Sequence, residues 1–311
     1  MIGIAEALEL ISSAIEPLPA ESTPVTEAVG RVALDDLVAA SDVPAFRQSA
    51  MDGYGLRSAD VAEAEAQSPV SLEIVGEVPA GPIDRLPAVG KGEAVRIFTG
   101  APVPEDVDAV VRQERVRREG DTVIVEDPIS AGNDIRPVGE SLDRGTTVGE
   151  AGVRLSAGTV GRAAMTGIAD VEVRSRPRVA VVATGNEVRP AGASLRPGEL
   201  YDANSPFLAG WLSERRVPFE LQHLPDDRDQ VAAALDEALE RFDLVVTTGG
   251  VSVGDHDHVV GTAAEVGLEE VFWKIHQKPG KPVWFGLRDE TPLLGLPGNP
   301  GAVFVGAQVY L

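Results

Sequence analysis

The chain has no cysteine among its 311 residues. That excludes disulfides, thiolate metal sites and a cysteine nucleophile, and it suits a reducing compartment. Long apolar runs are also missing: none approaches the roughly 20 residues needed to span a bilayer. The opening MIGIAEALELISSAIEPL carries Glu6 and Glu9 and no basic stretch, so it does not read as a secretion signal. A cytoplasmic protein is expected. Positive charge is scarce, with 27 Lys and Arg against 49 Asp and Glu and a formal charge of −22. A field of that sign repels phosphate backbones and argues against a nucleic-acid partner. An acidic surface poor in lysine suits a salt-rich setting or simply arginine-preferring codons, and both readings stay open. Of the four lysines (Lys91, Lys274, Lys278 and Lys281), three fall within residues 274–281, which points to a local anion site.

What is present is enough for two or three domains with buried cores, since 43% of residues are hydrophobic. Ile4, Ala7, Leu8, Ile11 and Ile15 recur at helical spacing, and Pro17, Pro19 and Pro24 end that helix. Residues 42–56 read as irregular and turn-rich. From about 70 to 150, short runs such as SLEIVGEV, EAVRIF, AVVRQERV and DTVIVED, punctuated by Gly, Pro and Asp, predict a small β-rich module. The texture changes at 177. RVAVVAT reads as a buried parallel strand, SPFLAGWLSERR as a helix with Ser205 as a possible N-cap and Pro206 at its first position, and RDQVAAALDEALERF as another helix. FELQHL, DLVVTT, EVFWKI, PVWFGL and PLLGL complete a strand series that alternates with helices at first, as in a doubly wound α/β sheet. The chain stops at Leu311 inside the apolar segment GAVFVGAQVYL, so a further segment is expected beyond it.

Several loops carry chemistry, and an open α/β sheet binds ligands beyond the carboxyl ends of its strands. Thr184-Gly185-Asn186-Glu187 joins a turn that allows close backbone approach to a carboxylate, although such residues often merely cap the next helix. TTGGVSVGDHD, residues 247–257, supplies Gly249, Gly250 and Gly254 for an anion cradle and Ser252 as a hydroxyl donor. Its Asp255 and Asp257 suit Mg²⁺, hydroxyls or ring N–H groups; the plainer alternative is a tight turn with an Asp cap. Lys278-Pro279-Gly280-Lys281-Pro282 presents two ammonium groups to an oxyanion or phosphate, or is a solvated turn. Gly295-Leu296-Pro297-Gly298-Asn299-Pro300 turns sharply into a helix, with Asn299 as cap and Pro300 as first residue. Earlier in the chain stand Ser49-Ala50-Met51-Asp52-Gly53-Tyr54 and Arg96-Ile97-Phe98-Thr99-Gly100-Ala101-Pro102, to which periodicity alone assigns no function.

In this order, SAMDGY, RIFTGAPVP, ATGNE, TTGGVSVGDHD, KPGKP and GLPGNP resemble the molybdopterin molybdenumtransferase family, which includes the E domain of gephyrin. The resemblance covers nearly the whole chain, and six ordered motifs over about 250 residues are specific where one would not be. It implies an α/β multidomain protein forming an elongated homodimer. Residues 1–45 would hold the N-terminal helix and the first part of an irregular linking domain. Residues 46–144 would be an inserted β-rich domain, 145–175 the second part of the linking domain, and 176–311 the doubly wound α/β pterin-binding domain. The N-terminal helix would pack on the linking or the pterin-binding domain. The family's C-terminal β-barrel is absent from these residues.

The implied reaction inserts molybdate into adenylylated molybdopterin with release of AMP, aided by a divalent cation, usually Mg²⁺. By motif, the resemblance implies catalytic roles for Asp52, Thr99, Glu187, Asp226 and Asp257. It implies substrate binding by Gly249, Gly250, Ser252, Gly254, Lys278, Lys281, Pro297 and Pro300, with the metal ligands unassigned. The residue types fit: carboxylates recognise pterin N–H groups, and lysine and backbone N–H groups attract an oxyanion. Departures are Arg47-Gln48 before SAMDGY where the family often has Asp-Asn, Ser141 in place of a usual Asp, and Gly301-Ala302 in place of Val-Ser. A molybdopterin adenylyltransferase shares the α/β domain but usually has a Thr-Gly-Gly-Thr-Gly loop and no SAMDGY half. A non-catalytic pterin-binding scaffold is the other alternative.

Overall fold

Helix α1 (Ile4–Ala14) opens the chain, with the Glu6 carboxylate accepting from the Gly3 N–H at 3.4 Å. Ala7 and Ile11, four residues apart on one face, are buried in a core against which Leu10 and Ala14 also pack; Ile4, Leu8 and, just past the helix, Ile15 stay 39%, 40% and 42% exposed. The computed structural model describes residues 1–251 and 258–311. The chain divides into two units, Ser22–Val173, and Met1–Glu21 with Arg174–Leu311. Of the two neighbours open to it, α1 packs on the second, α/β unit.

In the Ser22–Val173 unit, strands β1 (Gly53–Leu56), β2 (Val70–Val78), β3 (Glu93–Ile97), β4 (Ala109–Arg112), β5 (Val116–Glu119) and β6 (Thr122–Val125) form one sheet. Their order is β4-β1-β3-β2-β6-β5, and only the β2–β3 pair is parallel. Val110 and Val111 point to opposite faces, as the two-residue period requires, and each face has its own core. One gathers Tyr54, Leu56, Leu72, Val111 and Val123, the other Val78, Val95, Ile97, Val107 and Val110. The AVVRQERV run is broken at Gln113–Arg115 by a 3₁₀ turn. A separate core around helix α2 (Ala157–Met165) collects Val25, Leu37, Val148, Leu155, Ala163 and Val173. Ser156 caps α2, accepting from the Thr159 N–H at 3.0 Å.

The irregular reading of 42–56 fails at its end. β1 is fully buried between β3 and β4. Two glycines in four residues weaken strand propensity, which hid it, but here they permit close approach. A Cβ on Gly53 would lie 1.9 Å from the Val111 carbonyl oxygen of β4. Gly53→Ala should therefore push two paired strands apart and destabilise this unit by about 3 kcal/mol, as overpacking of a tight site does. Urea unfolding followed by circular dichroism checks this; an unchanged midpoint would show that the strands have room to spare.

The α/β unit is built on β7 (Val179–Thr184), β8 (Phe219–Leu224), β9 (Leu244–Thr248), β10 (Glu269–Trp273), β11 (Trp284–Arg288) and β12 (Thr291–Leu296). The order is β8-β7-β9-β12-β11-β10; the first four strands are parallel, and β11 and β10 are antiparallel additions. The apolar runs of β7 and β9 follow from burial on both faces. Helices α3 (Asn204–Glu214) and α6 (Pro300–Tyr310) join α1 on one face, around Val181, Leu208, Val246, Leu294 and Val303. Helices α4 (Arg228–Arg241) and α5 (His258–Ala263) cover the other, around Val182, Leu235, Val245, Val259 and Leu293. Asn299 caps α6 as expected, accepting from the Ala302 N–H at 3.3 Å, with Pro300 as first helical residue. Ser205 is not the cap of α3. The Asp202 carboxylate accepts from the Ser205 N–H at 3.0 Å, so the helix begins earlier and Pro206 sits third, still in the first turn where its missing donor costs nothing.

Candidate active site

The parallel strands β7, β8, β9 and β12 all end at one edge of the sheet, and each is followed there by a motif loop. After β7, the Asn186 N–H donates to Asp226 Oδ2 at 2.9 Å, and Asn186 Oδ1 accepts from the Asp226 N–H at 3.3 Å. This reciprocal pair ties Thr184–Glu187 to the Pro225–Asp227 turn after β8. After β9, the Gly249 N–H donates to the Leu296 carbonyl at 3.0 Å, linking the loop to the end of β12. Gly249 and Gly250 have φ +94° and +70°. A Cβ on Gly249 would lie 2.7 Å from Thr184 Oγ1, and one on Gly250 2.7 Å from Val259 Cγ2, so both places require glycine. Ser252, Gly254, Asp255 and Asp257 lie outside the described residues. After β12, Pro297 is buried and Pro300 exposed at the start of α6.

Because β11 runs antiparallel to β12, with Trp284 opposite Gly295, the segment entering β11 reaches the same edge. That segment is the lysine turn. Its ends are pinned by Ile275 N–H to Lys281 O and Lys274 N–H to Val283 O, both 2.9 Å. A Cβ on Gly280 would lie 3.7 Å from Ala302 Cβ, so the turn packs beside the first turn of α6. Lys278 and Lys281 are exposed, and among the described residues neither has a carboxylate partner. Two ammonium groups near a helix N-terminus favour an anion.

Asn204 escaped the sequence reading, which stopped at its neighbours Ser205 and Pro206. Its Nδ2 donates to the Gly298 carbonyl at 2.9 Å, while its Oδ1 is buried without a hydrogen-bond partner among the described residues. Buried polar atoms almost always have a partner, so this orphaned acceptor beside the loops marks a place short of one donor. Among the described residues no group of three or more His, Asp or Glu side chains is placed to hold a metal ion. Mg²⁺ commonly takes one or two carboxylates and keeps several waters, and Glu187 and Asp226 are side chains of the type it takes.

Asp52 and Thr99 lie in the Ser22–Val173 unit and meet there. Asp52 Oδ1 accepts from the Thr99 N–H at 2.8 Å and from its hydroxyl at 2.7 Å. These two bonds, with the Arg96 charge adding to them, hold the Asp52 carboxyl below its ordinary range. Arg96 was missed as part of this site, although it stands in the quoted motif. Its guanidinium carbon lies 5.0 Å from the ring centres of both Tyr54 and Phe98, and it donates to the Gly53 carbonyl at 3.1 Å and to Gln113 Oε1 at 2.6 Å. Two departures from the family pattern meet at Arg136. Its side chain donates to Glu140 at 2.5 Å, Ser141 Oγ at 2.9 Å and Gln48 Oε1 at 3.4 Å.

Residues 2–167 match the family "MoeA N-terminal region (domain I and II)", and residues 180–311 match "Probable molybdopterin binding domain". A molybdopterin molybdenumtransferase of Staphylococcus aureus is 33% identical over the whole chain, which covers 74% of that relative. One from Synechococcus elongatus is 36% identical, again over the whole chain and 79% of the relative. The crystal structure of a molybdopterin biosynthesis MoeA protein from Pyrococcus horikoshii superposes with a TM-score of 0.82 at 31% identity, over 99% of this chain and 78% of that one. With both parts of the chain matched and full-length identities above 30%, the chain belongs to the molybdopterin molybdenumtransferase family.

Proposed function

We propose that this protein inserts molybdate into adenylylated molybdopterin, releasing AMP and the mature cofactor. The observation that carries the reading is the convergence at one sheet edge of a glycine-rich turn, an exposed lysine turn, a capped helix start and two carboxylates. The Gly249-Gly250 turn would bring the backbone close to phosphate oxygens, with the Gly250 N–H as donor, and Lys278 and Lys281 would draw in the molybdate dianion. Asn204 Oδ1 would accept from a pterin N–H, alongside Asp257. Glu187 and Asp226 would hold Mg²⁺, which when bound neutralises charge on the phosphoanhydride. Ser252, Gly254, Pro297 and Pro300 would complete the loop walls. We further propose a cytoplasmic homodimer with the finer domain division set out from the sequence, in which Asp52 and Thr99 of one protomer serve the loops of its partner. The exposed Ile4 and Leu8 of α1, with Ile15 just after it, support association, because a two-fold contact buries the same apolar patch twice. The test is to incubate the protein with adenylylated molybdopterin, molybdate and Mg²⁺ and to follow AMP. Release that requires molybdate is expected; molybdate-independent release or none would overturn the reading.

A further inference from the structure

Behind the lysine turn, two side chains from distant parts of the chain meet. Gln277 Oε1 accepts from the Tyr310 hydroxyl at 2.5 Å, and Gln277 Nε2 donates to the Pro279 carbonyl at 2.9 Å. Tyr310 lies in the last turn of α6, 8% exposed, and burial pushes its phenol above the ordinary value, so it remains a donor. Gly280, with φ +101°, closes over this amide: a Cβ there would lie 2.6 Å from Gln277 Nε2. One amide thus spans from the crest of the turn to the helix that packs beside it. Among the described residues neither lysine is fixed by a carboxylate, and the spacing of their ammonium groups rests on the backbone that carries them.

We infer that Gln277 and Tyr310 are positioning residues that lock the Pro279-Gly280 crest and thereby set affinity for the tetrahedral oxyanion. The inference rests on the reading of Lys278 and Lys281 as oxyanion ligands. A pre-organised turn binds without first paying the ordering entropy of two long flexible side chains on a loose backbone. Tyr310→Phe keeps the ring and its packing and removes only the hydroxyl; Gln277→Ala removes the bracket from the other side.

The experiment compares Tyr310→Phe, Gln277→Ala, their double variant and Lys281→Ala with the unaltered 311-residue chain. Molybdate affinity is measured by calorimetric titration with molybdate alone and as KM in AMP release, and folding by thermal melting. Each bracket variant should weaken molybdate roughly tenfold, about the effect of one lost hydrogen bond, and the double variant should be no worse than the singles. The KM for adenylylated molybdopterin and kcat at saturating molybdate should stay within about twofold, a split that general loosening of the fold would not produce. Unchanged molybdate affinity in both bracket variants, with Lys281→Ala impaired, would overturn the bracket and leave the lysine reading standing. Unchanged affinity in Lys281→Ala as well would overturn both. Parallel loss of kcat, both KM values and melting temperature would reduce the pair to a fold contact and also overturn the inference.

Discussion

An Asp52→Asn variant should stay folded and lose turnover by about 100-fold or more, on the scale seen when one charge-stabilising group is removed from a site. The substitution isolates charge from geometry. Oδ1 carries both bonds from Thr99, and an amide oxygen in its place can still accept from the N–H and the hydroxyl. What disappears is the negative charge that Thr99 and Arg96 stabilise. The same contacts determine the pH dependence. A carboxyl whose folded value is depressed contributes stability that is fully present above its unfolded value of 3.8 and is lost as pH falls through the lower folded value. Asp52 therefore titrates below the ordinary carboxylate range, and a rate decline near neutral pH should persist unchanged in shape in the variant, because another group causes it. The carboxylate is exposed, so the melting temperature should hardly move. Wild-type kcat/KM in Asp52→Asn would remove the residue from the reaction.

Removing both ammonium groups of the lysine turn should raise the molybdate concentration for half-maximal rate by about 100-fold, with about tenfold from each single Lys278→Ala or Lys281→Ala change. Both side chains are exposed and neither has a carboxylate partner among the described residues, so their loss should alter stability by no more than about 0.5 kcal/mol. The anion, by contrast, loses the only two lysines of this turn in a chain of charge −22. The wild-type dependence on molybdate should weaken as salt rises, since exposed charges are screened beyond about 8 Å at physiological ionic strength, and the double variant should lose that salt sensitivity. Arginine should restore charge without full affinity, because its planar fork does not reproduce a compact ammonium. A molybdate dependence unchanged by the double substitution would make the turn purely structural.

Local pattern was enough for the elements that carry the pterin-binding half. The unbroken apolar runs of β7 and β9, the helical period of α4 and the Asn299-Pro300 start of α6 are each written in a few adjacent residues, because burial on a strand or helix face repeats with the backbone's own period. Motif order was likewise enough to place the chain in its family. The contacts between motifs were another matter. Thr99 reaches Asp52 across 47 residues, Asn186 meets Asp226 across 40, and Tyr310 meets Gln277 across 33. Each of these pairs depends on where its own segment sits in the fold. The glycine-rich β1 had no periodic signal, because its place is set by what Gly53 leaves out against Val111. The start of α3 was misread for a related reason. Asp202, Ser205 and Pro206 all suit a helix start, and only the backbone path after Tyr201 decided that the helix begins at Asn204, with Asp202 accepting from the Ser205 N–H. Periodicity reports which face of a segment is buried; which distant side chain it then meets is decided by strand order and register, and these exist only once the sheet has formed.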